Sequence, residues 1–249
     1  MTWKELIKKT LEELGGEASL PEIYEKIEGH DKTVTNPTWQ ATIRRSIRQY
    51  NIFDPVGEER SGRYKLVKEE KIEFDEEHAD AGDTQLNHGI IQGMLLLLGR
   101  IMGFETFCPK TDQTIRSFQN RSLSEIVTIR DLADAFAKSQ IEKMREIDVV
   151  WLKEDNVGLY PKFAFEVEHT TKVKSGLERL IEIPERYGTY LYIIVPDEKE
   201  EKLFQRYMDR EIFRRWRGRF SLKNYGSVED SYNAAVNYKR ALRNMEFER

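Results

Sequence analysis

Asp148, Glu166 and Glu168 stand where two buried strands should be apolar. In the run Lys162-Phe-Ala-Phe-Glu-Val-Glu168, Phe163, Phe165 and Val167 alternate with Ala164, Glu166 and Glu168. A period of two puts both glutamates on one face of a strand, about 7 Å apart along the chain. Asp148, between Ile147 and Val149, opens the strand before it. Carboxylates that converge on adjacent strands are costly to bury unless a cation compensates them. All-oxygen ligation suits a hard divalent ion such as Mg²⁺, with Mn²⁺ able to substitute, so the spacing points to metal-dependent hydrolysis. The alternative is an edge strand whose glutamates face water. Apolar flanks on both sides favour a central strand.

The elements that must position these residues follow from periodicity. Leu86 opens a second domain, over 86–249, with an apolar helix from Gly89 to Met102 and a strand near Phe104–Cys108. A polar stretch, Lys110–Leu123, leads to a helix expected around Arg130–Met144. The two carboxylate strands come next, then a helix from Ser175 that ends near Pro184. Tyr190–Val195 is a continuous apolar run, as in a buried strand. Helical patterns over Glu198–Trp216 and Val228–Asn244 finish the chain. On the first of these, Arg206, Arg210 and Arg214 recur every four residues and would share a face, either as a phosphate-binding ridge or as a solvated surface.

Ahead of that domain, residues 1–67 read as a small helical domain ending in a hairpin. Trp3, Leu6, Ile7, Leu11 and Leu14 form the stripe of a first helix, stopped by Gly15-Gly16. Ser19 and Glu22 make a capping box for a second. Asn36-Pro37 opens a third, with Trp39, Ile43, Ile47 and Tyr50 inward. Short strands near Ile52–Val56 and Tyr64–Val67 flank a glycine-containing loop. This order is that of a winged helix-turn-helix. Residues 68–85, acidic and poor in large apolar groups, read as a linker.

Composition narrows the function classes. A net charge of −4 over 249 residues rules out a generally polycationic protein, so any nucleic-acid contact must come from local basic patches. The single cysteine, Cys108, excludes an internal disulfide framework and fits a reducing cytoplasm. The opening Met-Thr-Trp-Lys-Glu-Leu has no signal-peptide pattern, and Gly89–Phe104 is too short and glycine-broken to span a bilayer, so no membrane partner is expected.

A helix, a strand, Asp148 at the next strand, Glu-x-Glu on the third, then a helix and a buried strand resembles the PD-(D/E)XK nuclease superfamily, in particular type II restriction endonucleases. The resemblance implies an α/β (α+β overall) fold in which a mixed β-sheet is flanked by helices, and a Mg²⁺-dependent phosphodiesterase. Asp148 matches the acidic metal ligand and Glu166 the second one, with the Val167 carbonyl a third. Glu168 stands where most members carry lysine, so it would hold a second ion or act as general base, and Lys172 or Lys174 would have to reach back. The first core helix often supplies an acidic or amide group in this superfamily; Gln92 is the best match, with Asn87 and His88 behind it. Beside the motif, His169 is either a phosphate contact or a solvated residue.

Residues 2–67 look like the HARE-HTH winged-helix module, on the strength of Trp3, the Leu20-Pro-Glu-Ile-Tyr-Glu-Lys-Ile27 helix and Pro37. The third helix leaves Thr38, Ala41, Arg45 and Arg48 opposite its apolar stripe, with Gln40 and Arg44 alongside. These are residue types that read base edges in the major groove. Arg60 and Arg63 in the wing would reach phosphates or the minor groove. The bland alternative is a solvated helix face. Together the two halves predict a restriction-type endonuclease of double-stranded DNA, homodimeric because cutting both strands needs two sites. A modified-base-dependent endonuclease, or a DNA-binding regulator whose nuclease-like domain is inactive, are the competing readings.

Overall fold

The computed structural model describes residues 1–57, 61–67, 86–132, 136, 142–155, 158–168, 173–196 and 198–245. The expected linker, Arg60, His169 and Lys172 lie outside the described residues.

The N-terminal unit runs α1 (Trp3–Glu13), β1 (Glu17–Ser19), α2 (Leu20–Ile27), α3 (Asp31–Thr35), α4 (Trp39–Gln49), β2 (Phe53–Pro55) and β3 (Arg63–Leu66). Capping boxes start α1 at Thr2–Glu5 and α2 at Ser19–Glu22, each satisfying two backbone donors that the helix itself cannot. The hairpin gains a third member, because β1 pairs antiparallel with β3 to give the order β1-β3-β2. Neither β1 nor the short α3 was foreseen from the sequence.

The larger unit is built on a five-stranded mixed sheet in the order β10-β9-β8-β7-β4. Its elements are α5 (His88–Ile101), β4 (Glu105–Phe107), α6 (Lys110–Ile115), the small hairpin β5 (Ser117–Phe118) and β6 (Arg121–Ser122), α7 (Leu123–Ile126), β7 (Val149–Glu154), β8 (Leu159–Val167), α8 (Val173–Ile181), β9 (Tyr190–Val195), α9 (Glu198–Met208), α10 (Glu211–Arg214), β10 (Phe220–Asn224) and α11 (Tyr225–Asn244). β4, β7 and β8 pair antiparallel; β9 runs parallel to β8, and β10 parallel to β9. The carboxylate strand β8 is therefore central, as its apolar flanks required.

Alternation along the strands sorts the core into two layers. Val149, Trp151, Phe165 and Val167 face α5 and α11, while Val150, Leu152, Ala164, Leu191 and Ile193 face α8 and α9. α5 is buried from Ile91 to Gly99 on every side, sandwiched between sheet and α11. Gly99 lets it approach: a Cβ there would lie 2.6 Å from the Trp151 indole nitrogen.

The second core layer continues into the N-terminal unit, where Ile7, Ile47 and Phe53 share one apolar cluster with Phe107, Ile129 and Leu152. Polar contacts seal the junction. Tyr50 donates its hydroxyl to Glu154 at 3.0 Å, Asn51 donates to the Ser124 and Val127 carbonyls, and Arg130 grips Asn51 and Asp54.

Two helices expected from the sequence differ in part; of the first, around Arg130–Met144, residues 133–135 and 137–141 lie outside the described residues and 142–144 are helical. Arg130–Leu132 is not helical, because Ile129 bridges Tyr50 and the Arg130 amide donates to the Gln49 carbonyl. The helix over Glu198–Trp216 breaks at Asp209–Arg210, where Arg210 is extended (φ −74, ψ 144), and β10 follows. Arg206, Arg210 and Arg214 consequently do not share one helix face. Among the described residues no helix is long and apolar enough to cross a membrane.

Candidate active site

β7 and β8 meet in a register that pairs Val149 with Phe165, and Asp148 sits one residue before that pair. Asp148 Oδ2 accepts the Val167 amide N–H at 2.8 Å, which ties the mouth of β7 to the end of β8. Glu166 has no exposed surface, and Glu168 and Asp148 are also buried. Two tight strands and a tight helix enclose these carboxylates. Gly176 of α8 makes that possible, because a Cβ at this position would come within 2.5 Å of Glu168 Oε1 and 3.2 Å of Glu166 Cβ.

The charge that offsets this cluster comes from α8. Arg179 donates Nε–H to Glu166 Oε1 at 2.8 Å and a second N–H to Oε2, a two-pronged pair. Burial pushes the Glu166 carboxyl up, the charges of Asp148 and Glu168 add to that, and the Arg179 hydrogen bonds oppose it. Arg179 is in turn held more firmly protonated by Glu166, Asp148 and Glu168. The three expected carboxylates are thus in one electrostatic neighbourhood, with an arginine among them.

On the α5 side, Asp148 meets other partners. His88 Nε2 stands 3.4 Å from Asp148 Oδ1. Gln92, fully buried, donates its amide both to the Asp148 backbone carbonyl and to Asp112 Oδ2, at 2.8 Å each. Both partners are acceptors, so the amide orientation is set by the network. Among the described residues, the ligand atoms of His88, Asp112 and Asp148 lie within 4.8 Å of one another, close enough to share an ion. Neither Glu166 nor Glu168 belongs to that group. Cys108 is near, but burial first, then the Asp112 and Asp148 charges, push its thiol far up, which leaves it neutral at ordinary pH.

The remaining sequence expectations find these places. Asn87 caps α5 by accepting the Ile90 amide, a structural duty. Lys174 pairs with Glu178 one turn along α8. Thr38, Gln40, Arg44, Arg45 and Arg48 are all exposed on α4 or its cap. Arg44 reaches the Tyr24 hydroxyl at 3.0 Å, and Arg63 is engaged by Glu17 at 2.6 Å within the small sheet. Thr38 and Arg45 line a crevice of about 300 Å³ whose far wall is Glu154, Asp155 and Gly158 of the β7–β8 hairpin.

Sequence reasoning missed Arg179 and Asp112. A signal for Arg179 existed: it lies three residues after Gly176, on a helix whose inward face is Val173, Gly176, Leu177 and Leu180. Asp112 had none, because α6 is a six-residue helix in a polar stretch and is placed by tertiary contacts alone.

Residues 68–247 match the family described as type II restriction enzyme NmeDI C-terminal domain. A curated relative, the type II restriction enzyme NmeDI of Neisseria meningitidis serogroup C, is 26% identical over 174 residues, covering 63% of this chain and 45% of the relative. The chain spans about half the length of that relative. No solved structure matches the chain.

Proposed function

From a chain that belongs, over residues 68–247, to the family of the type II restriction enzyme NmeDI C-terminal domain, we propose a divalent-metal-dependent endonuclease that hydrolyses phosphodiester bonds of double-stranded DNA. The observation that carries this reading is the placement of Asp148, Glu166 and Glu168 at the junction of the central strands β7 and β8, enclosed by α8. The succession α5, β4, β7, β8, α8, β9, with antiparallel, antiparallel and then parallel pairing, supports assignment to the PD-(D/E)XK architecture.

A bound divalent ion such as Mg²⁺ offsets charge on the scissile phosphate and lowers the pKa of the attacking water. The residues fit such an ion: Asp148 presents a carboxylate whose second oxygen is pinned by the Val167 amide. Glu166 and the Val167 carbonyl are the ligands that β8 offers, and both Glu166 oxygens also accept from Arg179. Glu168 is proposed to take the proton of the attacking water. Gln92 positions Asp148 by its backbone. Arg179 supplies the positive charge that a lysine in the Glu168 slot would otherwise bring, at a site where charge develops on phosphate oxygens.

Residues 1–67 are proposed as a winged-helix DNA-binding domain. Thr38, Gln40, Arg44, Arg45 and Arg48 offer donors along one exposed face of α4. Two such chains acting as a homodimer would cut both strands. A second reading, a DNA-binding regulator with a silent nuclease-like domain, is favoured by the commitment of Glu166 to Arg179.

Incubating the purified protein with mixed-sequence DNA and Mg²⁺ or Mn²⁺, then sequencing the fragment ends, separates them. Fragments with one shared end sequence support the endonuclease. Intact DNA retarded on a gel supports the regulator, and DNA neither cut nor retarded removes both.

A further inference from the structure

We infer that the divalent ion is held by His88 and Asp112 together with Asp148, on the α5 side of the strands, and that the site takes Mn²⁺ in preference to Mg²⁺. The inference deepens the endonuclease reading and rests on it for what the ion does. It differs from that reading in the ligand set, which excludes Glu166.

His88 and Gln92 are one turn apart on α5, so both project from the same face toward the mouth of β7. α6 brings Asp112 to the same spot. Each of the three ligand side chains keeps a fraction of its surface open, 23% for His88, 13% for Asp112 and 12% for Asp148, so the cluster lies close to solvent. The other side of the cluster is closed by Gln92, which is entirely buried.

Gln92 is the independent sign of an absent ligand. Its amide nitrogen bonds both Asp112 and the Asp148 backbone, so its carbonyl oxygen, on the same amide, lies next to the cluster. That oxygen is buried and accepts no hydrogen bond. A buried amide oxygen left without a hydrogen bond is costly and calls for a partner. A cation supplies one. His88 Nε2 is likewise buried and makes no hydrogen bond, although it faces Asp148 Oδ1. Arg116 pairs with Asp112 Oδ1 at 3.0 Å and keeps the two carboxylates from repelling each other before the ion arrives.

The contrast with Glu166 is geometric. Both its oxygens are taken by Arg179, and it lies outside the group of ligand atoms that converge. A site on the α5 side forms without breaking that buried pair. Its donor set then decides the metal. Imidazole suits the later transition ions; Mn²⁺, which takes the two carboxylates, accepts it more readily than Mg²⁺, which demands oxygen.

The test is Mn²⁺ binding to the full chain without DNA, read by the electron paramagnetic resonance of free Mn²⁺, with plasmid cleavage measured alongside. Asp112→Asn and His88→Asn are expected to weaken Mn²⁺ binding by at least about tenfold, more than Glu166→Gln does. Circular dichroism in chelator establishes that each variant is folded, and His88→Asn, at a partly open position on the first turn of α5, serves if Asp112→Asn does not fold. His88→Asn should also shift the preference of the protein toward Mg²⁺. Loss of binding in Glu166→Gln with retention in the other two overturns the ligand set, and leaves the endonuclease reading intact if the wild type cuts. Binding that depends on His88 and Asp112 in a wild-type protein that never cuts DNA upholds the site and sinks the endonuclease.

Discussion

Arg179 holds both carboxylate oxygens of Glu166, a side chain with no exposed surface. Removing one member of a buried pair strands the other charge, which costs about 3–5 kcal/mol. Arg179→Met should therefore lose about that much stability by urea denaturation at neutral pH. Glu166→Gln in the same chain should restore much of it.

The pH dependence of that loss has a definite sign. Without Arg179, burial raises the Glu166 carboxyl unopposed, so the folded state binds the proton more tightly than the unfolded chain. That contribution is present below the ordinary value of 4.5 and is lost as pH rises through the folded value. The deficit of Arg179→Met should shrink on acidification. An unchanged deficit in acid would mean that Glu166 carries no buried charge.

Gly176→Ala tests the close approach of α8 to the acidic strand. The new methyl would meet Glu168 Oε1 at 2.5 Å, and overpacking of this kind costs about 1–3 kcal/mol. DNA cleavage should fall with it. Gly99→Ala is the control: its methyl would press on Trp151, away from the carboxylates, so stability should drop while the folded fraction keeps its cleavage rate.

Glu154 sits at the junction of the two units, and its carboxyl is raised mainly by burial, with the Tyr50 hydrogen bond opposing and the Glu105 charge adding. A raised folded value favours the fold below 4.5 and this advantage is lost at higher pH. Glu154→Gln keeps an acceptor for the Tyr50 hydroxyl and removes the charge. Its melting temperature should exceed that of the wild type at neutral pH and match it in acid.

Arg45→Ala should weaken specific DNA binding by about 1–3 kcal/mol if its guanidinium reads a base. Arg63→Ala, whose guanidinium is already engaged by Glu17, should change binding less and the stability of the small sheet more. Equal affinities for both variants across DNA sequences, measured by fluorescence anisotropy, would remove α4 as the reading helix.

Much of this was legible in the residues. Capping at Ser19, the stripe of α1, the apolar α5 and the alternation of β8 all follow from local spacing, and local spacing is what the backbone obeyed. What escaped depends on distant partners. β10 is a short strand of mixed polarity that exists because β9 offers it a parallel edge. Arg130 looked helical and is instead spent on Asn51 and Asp54, residues of the other unit. The position of two glutamates on one face was readable; that Arg179 claims one of them was not, since α8 has to fold back over β8 first.

One strand spans the distance between the two proposed tasks. From Asp148, one residue ahead of β7, the chain runs to Glu154, where Tyr50 at the foot of α4 is anchored. At the usual rise of a strand these ends stand about 20 Å apart, equal to roughly six base-pair steps of duplex. β7 thus acts as a ruler between the proposed reading helix and the proposed point of cleavage.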